Sequence, residues 1–443
     1  MIRKKSLPLC VAALAGALAP HLGFGFDVAA AKVATEAEAA KDAPQLLALY
    51  KDLHEHPELG YQEKRTAALL AKQMRALGFA VTEGVGKTGI VAIYKNGAGP
   101  TVLVRTDIDA LPIEEETGLA YASRARQIAP RSGRETFVSH ACGHDTHMAA
   151  WIGTAKALLA MKERWHGTLM FIGQPAEEGG NGAKAMIEDG LFTRFPKPDY
   201  AFALHNAPDA FGVYYRSGIA SSSVDDFQIV FHGRSSHGSR PNMGIDPVLM
   251  AARFALDVQA VISREKDPAA FGVLAVGSID SGPLGNGTPE KATVRGATRA
   301  QDADVREKLL AGILRTAKAE ADMAAAPAPP DIDVRRGYSM IVNDAALTEK
   351  TAAVFRAAFG ADVHERPQPM TGSEDFSEYG LAGVPSLYFE VGAYDPQRVA
   401  EAKRKGGVLP VLHSSKYVPD AAAVIRTGTQ AMTLAVVAAM QTQ

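Results

Sequence analysis

The run His140-Ala141-Cys142-Gly143-His144-Asp145, followed by Gln174-Pro175-Ala176-Glu177-Glu178 and by the separate histidines His205 and His413, constrains this chain more than any other feature. Together these residues supply one thiolate, several imidazoles and a pair of carboxylates. That donor set can hold two divalent metals and leave one carboxylate free for proton transfer. Residues so far apart in sequence can act together only if the fold gathers the ends of separate elements at one place. The chemistry they imply is metal-dependent hydrolysis.

Composition narrows the partner. With 443 residues, 47% of them hydrophobic, and a net charge of −2, the chain can build two packed domains and carries no positive excess for gripping nucleic acid. A small molecule is the expected substrate. The N-terminus reads as an export signal over residues 1–31: basic Arg3-Lys4-Lys5, an apolar alanine-rich stretch over 7–19, and small residues at Ala29-Ala30-Ala31. Pro20 and the shortness of the apolar run argue against a permanent membrane helix. The expectation is a periplasmic or secreted protein with no membrane attachment once the leader is gone. Cys10 lacks the preceding small residue of a lipid-anchored cysteine. Cys142 is then the only cysteine of the processed chain; it cannot close an internal disulfide, and its setting between histidines favours metal binding.

Periodicity predicts helices over 44–56 and 62–77 and strands over 89–94 and 101–106. The second strand runs into Arg105-Thr106-Asp107-Ile108-Asp109-Ala110-Leu111-Pro112, so its acids stand where a buried strand gives way to a loop. A helix follows over 145–161, then strands over 167–173 and 200–204 that deliver Glu177-Glu178 and His205 at or just past their ends. In a parallel sheet those ends converge. Over 218–338 the pattern becomes β-α-β-β-α-β, a split βαβ sandwich inserted into the first domain. After 342 come a helix-rich stretch, Gly372-Ser373-Glu374-Asp375-Phe376, a strand over 386–391, His413 and a closing helix over 420–440. The expected fold is therefore α/β: an open mixed-sheet domain over 40–217 and 339–443, with a ferredoxin-like α+β sandwich over 218–338. Residues 125–139, with Arg126, Arg131 and Arg134, form a long loop that either shapes the pocket rim or is an inert surface excursion.

These motifs, in this order and around an inserted sandwich, resemble the amidohydrolase branch of the M20 metallopeptidases, which includes hippurate hydrolases, N-acyl-amino-acid amidohydrolases, plant auxin-conjugate hydrolases and related carboxypeptidases. The resemblance implies that Cys142, His144, Glu178, His205 and His413 are metal ligands and Glu177 the general base. Such ligands suit zinc, manganese, cobalt or nickel better than magnesium or calcium. Two ions about 3.5–4 Å apart would activate water and polarise a carbonyl. Asp107, with Arg105 in place of a histidine two residues earlier, is expected to orient a ligand imidazole; Asp145, His147, Glu374 and Asp375 are further supporting candidates. The resemblance also makes the sandwich a lid and dimerisation surface, hence a homodimer or higher oligomer, with His237 reaching the substrate's developing oxyanion. Asn286 falls where the family has an Asn-Val-Ile-Pro element, although the residues after it differ. Arg295, Arg299 and Arg336 are each able to bind a substrate carboxylate.

The implied reaction is hydrolysis of the amide of an N-acyl or N-aroyl amino acid, with an apolar or aromatic amino-acid side, and amide-linked aromatic conjugates such as mycotoxins among the conceivable substrates. A dinuclear aminopeptidase or dipeptidase would use similar metals but select a free α-amine. A non-catalytic metal-binding protein would need the ligands but not Glu177. A thiol nucleophile at Cys142 would leave the Glu177-Glu178 pair unexplained.

Overall fold

The computed structural model describes residues 27–130, 132–283 and 285–441. The chain enters through α1 (Val28–Glu55) and α2 (Lys64–Ala76), lays down β1 (Ala80–Val85), β2 (Gly89–Asn96) and β3 (Thr101–Asp107), and crosses by α3 (His144–Ala160) to β4 (Gly167–Gln174), β5 (Tyr200–Ala210) and β6 (Val213–Tyr215). It then leaves to build the smaller unit from β7 (Ser223–His232), α4 (Pro247–Asp257), β8 (Gly272–Asp280), β9 (Lys291–Ala300), α5 (Ala303–Met323) and β10 (Asp331–Arg336). On its return come α6 (Ala345–Phe359), β11 (Val363–Glu365), β12 (Ser386–Tyr394) and α7 (Ala421–Met440).

The large sheet is mixed, in the order β1-β2-β4-β3-β5-β12-β6-β11. Its centre is parallel: β4, β3, β5 and β12 run side by side in one direction. Alternation along these strands sends side chains to opposite faces. Val102, Val104, Phe171, Phe202, Leu204 and Phe389 pack under α1, α3, α6 and α7. Leu103, Met170, Ile172, Ala201, Ala203 and Tyr388 face the other way, against Met186, Leu191, Phe376 and Tyr379. The closing helix α7 is long and apolar enough to cross a membrane, but 89% of that window is buried, as a central core helix requires. The smaller unit is an antiparallel sheet in the order β8-β9-β7-β10, with α4 and α5 covering a core of Phe227, Ile229, Phe231, Phe254, Leu309 and Ile313.

Several expectations shift. Of the expected leader, residues 1–26 lie outside those described, whereas 28–31 belong to α1: Asp27 accepts a hydrogen bond from the Ala30 N–H as its cap, and Ala31 is fully buried. The first helix thus begins well before Pro44, which sits inside it; tertiary packing of α1 on α3 and α7 outweighs the lost backbone bond. The short strands β1, β6 and β11 lack a distinctive apolar period and were not expected. Residues 125–139 form a hairpin, Arg126–Ile128 paired with Glu135–Phe137, docked through Ala129 and Val138 on Leu59 and Ala110. None of its described residues lines the main cleft, and Arg131 lies outside the described residues.

Helix α3 packs closely on α7 and α1. A Cβ at Gly153 would stand 2.4 Å from Thr429 Oγ1 and 2.9 Å from Leu46 Cδ1, closer than atoms pack. Gly153→Val should therefore destabilise the protein by about 1–3 kcal/mol, as overpacking of a filled core does, read as a lowered urea midpoint at unchanged slope. An unchanged midpoint would mean that the helices do not meet at this point.

Candidate metal centre

The parallel strands end in register: Asp107 lies opposite Gln174 across β3 and β4, and His205 opposite Glu390 across β5 and β12. The turn Cys142-Gly143 comes to the same edge. Gly143 has φ +79, and a Cβ there would fall 2.0 Å from Asn206 Nδ2, so only glycine lets α3 start beside β5.

All five expected ligands meet at this edge. Cys142 Sγ is 3.4 Å from His205 Nε2, and His413 Nε2 is 3.1 Å from Glu178 Oε1. His144 Nε2 is 3.9 Å from the same Glu178 oxygen. The donor atoms of Cys142, Glu178 and His413 lie within 4.8 Å of one another, as do those of His144, Glu177 and Glu178. Backbone carbonyls set the histidine tautomers. His144 Nδ1 donates to Asp109 O at 2.8 Å, and His205 Nδ1 to Asn206 O at 2.7 Å, which turns both Nε2 atoms inward as metal-type acceptors. His413 adopts φ +65, a strained conformation for a non-glycine residue, fixed by its N–H to Ala141 O at 2.8 Å.

The site fits cations. His144 Nε2 is buried without a hydrogen-bond partner, and acids crowd around it. Burial alone would lower the His144 pKa, but Asp107, Asp109 and Glu178 push it up to about 10. Burial and the carboxylates Glu178, Glu177 and Asp107 hold the Cys142 thiol well above its usual range. An arrangement that favours protons at a thiol and an imidazole favours divalent ions in their place.

The two neighbouring glutamates have opposite surroundings. Burial, then Glu374, Glu178 and Asp375, raise the Glu177 carboxyl well above the ordinary range. Burial acts the same way on Glu178, but His413 and His144 bring it below that range. Glu177 also groups with Glu374 and Asp375, all within 4.8 Å. The fully buried Arg105 ties this acid layer together, reaching Asp107 Oδ2 at 2.8 Å, Glu374 Oε1 at 2.7 Å and Asp375 Oδ1 at 3.2 Å.

The other expected residues divide between this edge and more distant places. Asp107 hydrogen-bonds His147 Nδ1 at 2.8 Å, lies 3.7 Å from His144 Nε2 and offers a donor atom within 4.8 Å of those of His144, His147 and His205; His147 Nε2 in turn accepts from Asn206 N–H. Asp145 grips His54 Nδ1 at 2.6 Å, behind the metal edge. A cleft of about 570 Å³ opens over the ligands. Of the three candidate arginines only Arg299 lines it, beside Asp226, Tyr338, Met370 and Leu412; its Nη1 donates to Ser373 Oγ at 2.8 Å. Arg295 bonds Gln228 on the sandwich sheet, and Arg336 pairs with Glu307 on α5. His237 and Asn286 are exposed together at the tip of the sandwich, where Ser236–His237 pairs with Gly287–Thr288 and Gly238 N–H donates to Asn286 O; neither lines the cleft.

Three further residues support the site, of which only Asp109 carried a sequence signal, as one of the acids at the end of β3. Asn206 donates to Gly143 O and Thr146 Oγ1 and accepts from Tyr417. Asp109 Oδ2 accepts the Glu178 N–H. Glu63, fully buried, accepts the Ala176 N–H and the Thr88 hydroxyl, bracing the residue before the glutamate pair.

A model of peptidase family M20/M25/M40 matches residues 103–403. The hippurate hydrolase of Campylobacter jejuni is 35% identical over 334 residues, covering 73% of this chain and 82% of its own. The N-acetyl-L-cysteine deacetylase of Bacillus subtilis is 34% identical over 348 residues, covering 78% and 79%. Among solved structures, YXEP of Bacillus subtilis, a dinuclear metal-binding peptidase from the M20 family, superposes with a TM-score of 0.73 at 26% identity, covering 91% of this chain and all of that one.

Burial first, and then Asp109, raise the Glu63 carboxyl to about 7 against the hydrogen bonds it accepts. A carboxyl raised in the fold stabilises it when protonated. That contribution is complete below the unfolded value and is lost as pH rises through about 7. Glu63→Gln should therefore flatten the decline in Tm between about pH 5 and pH 8, measured at equal metal loading; parallel curves for the two proteins would refute this.

Proposed function

The chain belongs to peptidase family M20/M25/M40, and from that premise we propose that it is a metal-dependent amidohydrolase releasing a carboxylic acid and a free amino acid from N-acyl or N-aroyl amino acids. The observation that carries this reading is the place of Glu177. Its carboxylate is buried beside His144 and Glu178 and opens on the cleft that also holds Arg299.

Cys142, His144, Glu178, His205 and His413 would hold two divalent ions of the zinc, manganese, cobalt or nickel type. Bound there, the ions supply Lewis acidity that activates a water and polarises the scissile carbonyl. Arg299 would take the substrate's α-carboxylate, its guanidinium lying at the lid side of the cleft and already directed by Ser373. Glu177 would accept the proton of the attacking water and return it to the leaving nitrogen. Val224, Met370, Tyr388 and Leu412 give the cleft an apolar wall, which supports an apolar or aromatic substituent.

His237 and Asn286, exposed at the sandwich tip and away from their own cleft, would act on the cleft of a second copy, making the protein a homodimer or higher oligomer. Export is part of the same reading. Asp27 and Ala31 serve the first helix, which supports processing before Asp27 and not at Ala29-Ala30-Ala31.

Metal analysis with a panel of N-acetyl and N-benzoyl amino acids tests the assignment, with free dipeptides as the contrasting arm. Glu177→Gln should keep its metal and lose about 10²- to 10⁴-fold in kcat, the range for general acid–base groups; a fully active variant, or turnover of dipeptides alone, would overturn it. Mixing Glu177→Gln with His237→Ala subunits should restore activity that neither has by itself, since one site of the hybrid is complete. No recovery from exchanged subunits would place the action of His237 within its own chain or nowhere.

A further inference from the structure

The turn that carries the glutamate pair is held in an unusual backbone conformation. Ala176 and Asn181 have φ +49 and +52, Gly179 has φ +86, and Glu178 departs from helical geometry. Such a turn keeps its shape only if its surroundings fix it. From the large unit it receives Glu63 on the Ala176 N–H, Asp109 on the Glu178 N–H, Tyr61 on Gly180 O and Asp375 on the Ala183 N–H.

One anchor arrives from the other side. Tyr338, on the segment that returns from the sandwich, donates its hydroxyl to Glu177 O and accepts from Gly179 N–H at 2.8 Å and Asn181 N–H at 3.3 Å. That uses the donor and both acceptor sites of a phenol, all on the backbone of this turn. The segment bearing Tyr338 is itself bolted to the sandwich. Val224 N–H donates to Tyr338 O at 3.0 Å, and Gly337 N–H reaches Val224 O and Asp225 Oδ1, both at 3.1 Å. Asp225, buried, is clamped by both prongs of Arg306 on α5, at 2.6 and 2.8 Å. A continuous line of short polar contacts thus runs from α5 through Arg306, Asp225 and Gly337 to the carbonyl of Glu177.

Building on the amidohydrolase reading, we infer that Tyr338 is a positioning residue: through its hydroxyl, the orientation of the inserted sandwich sets the place of the Glu177 carboxylate. The lid that grips a substrate would then also align the proton-transfer group, so alignment is tied to substrate capture.

The test compares wild type, Tyr338→Phe and Arg306→Lys, the last keeping the charge but not the two-pronged grip. Backbone hydrogen exchange is followed over residues 176–183 in zinc-loaded protein, alongside metal content, Tm and steady-state kinetics on the N-acyl panel. Expected in Tyr338→Phe are retained zinc, at least about tenfold faster exchange confined to that turn, and a kcat lower by on the order of 10²-fold, the effect of a misplaced catalytic group, with KM within about threefold. Arg306→Lys should move exchange and kcat in the same direction by a smaller factor. Unchanged exchange in Tyr338→Phe overturns the anchor, and it does so even if wild type turns over none of the panel, a result that refutes only the substrate reading. Faster exchange in Tyr338→Phe but none in Arg306→Lys overturns the link to the sandwich. Loss of zinc or a general fall in Tm with kcat and KM changing together would make Tyr338 a structural residue only. Should Tyr338→Phe not fold, Arg306→Lys carries the decision through the same two readouts.

Discussion

Buried negative charge organises this protein. Asp107, Asp109, Glu177, Glu374 and Asp375 are almost wholly removed from solvent at one edge of the large sheet, with Glu178 and the Cys142 thiol beside them. Taking one ion into a protein interior costs several kcal/mol unless a partner compensates it. The guanidinium that lies fully buried among them, Arg105, reaches Asp107, Glu374 and Asp375, and the side facing Glu178 is left to the imidazoles of His144 and His413. Divalent ions in place of protons on that side would balance the same acids, which is the charge argument for a dinuclear centre here.

Topology makes the accumulation possible. A parallel centre aligns strand ends, so each central strand gives its last residue, or the loop after it, to the same edge. Asp107 and Asp109 leave β3, Glu177 and Glu178 follow β4, and His205 stands on β5. The crossover to α3 begins at His144, whose position against β5 depends on the missing Cβ of Gly143. Removing any of these local features would separate donors that the sequence holds far apart.

What could be read from the sequence divides along physical lines. The side chains that meet at the sheet edge were legible because thiol, imidazole and carboxylate at strand ends form a chemical set, whatever the detailed packing. The mixed sheet and the β-α-β-β-α-β sandwich were legible from period and order. Side-chain direction was not. Arg295, Arg299 and Arg336 are chemically equal as sequence, yet only Arg299 turns to the cleft, while Arg336 is drawn to Glu307 on α5. Asp145 belongs to a metal-type motif and is claimed by His54, a partner supplied by the first helix with no local signal. The start of α1 was misplaced at Pro44 because burial against α3 and α7 outweighs a local breaker.

The supporting contacts around the ligands are made largely with backbone. His144 and His205 each give their outer N–H to a carbonyl, of Asp109 and Asn206 respectively. The strong acceptor Asp107 serves His147, which in turn holds the Asn206 N–H. A carboxylate partner would make a ligand imidazole more basic; a carbonyl fixes its tautomer with a weaker effect on its charge. The arrangement sets ring direction through backbone carbonyls, while, against the effect of burial, Asp107, Asp109 and Glu178 raise the His144 pKa to about 10, holding a proton that a bound divalent ion would displace. It also ties ligand geometry to main-chain geometry, so the strained φ values at Ala176, Asn181 and His413 belong to the site as much as its side chains do. Strain of this kind persists where neighbours over-determine the backbone, and here Glu63, Asp109, Tyr338 and Ala141 do so from four separate stretches of chain.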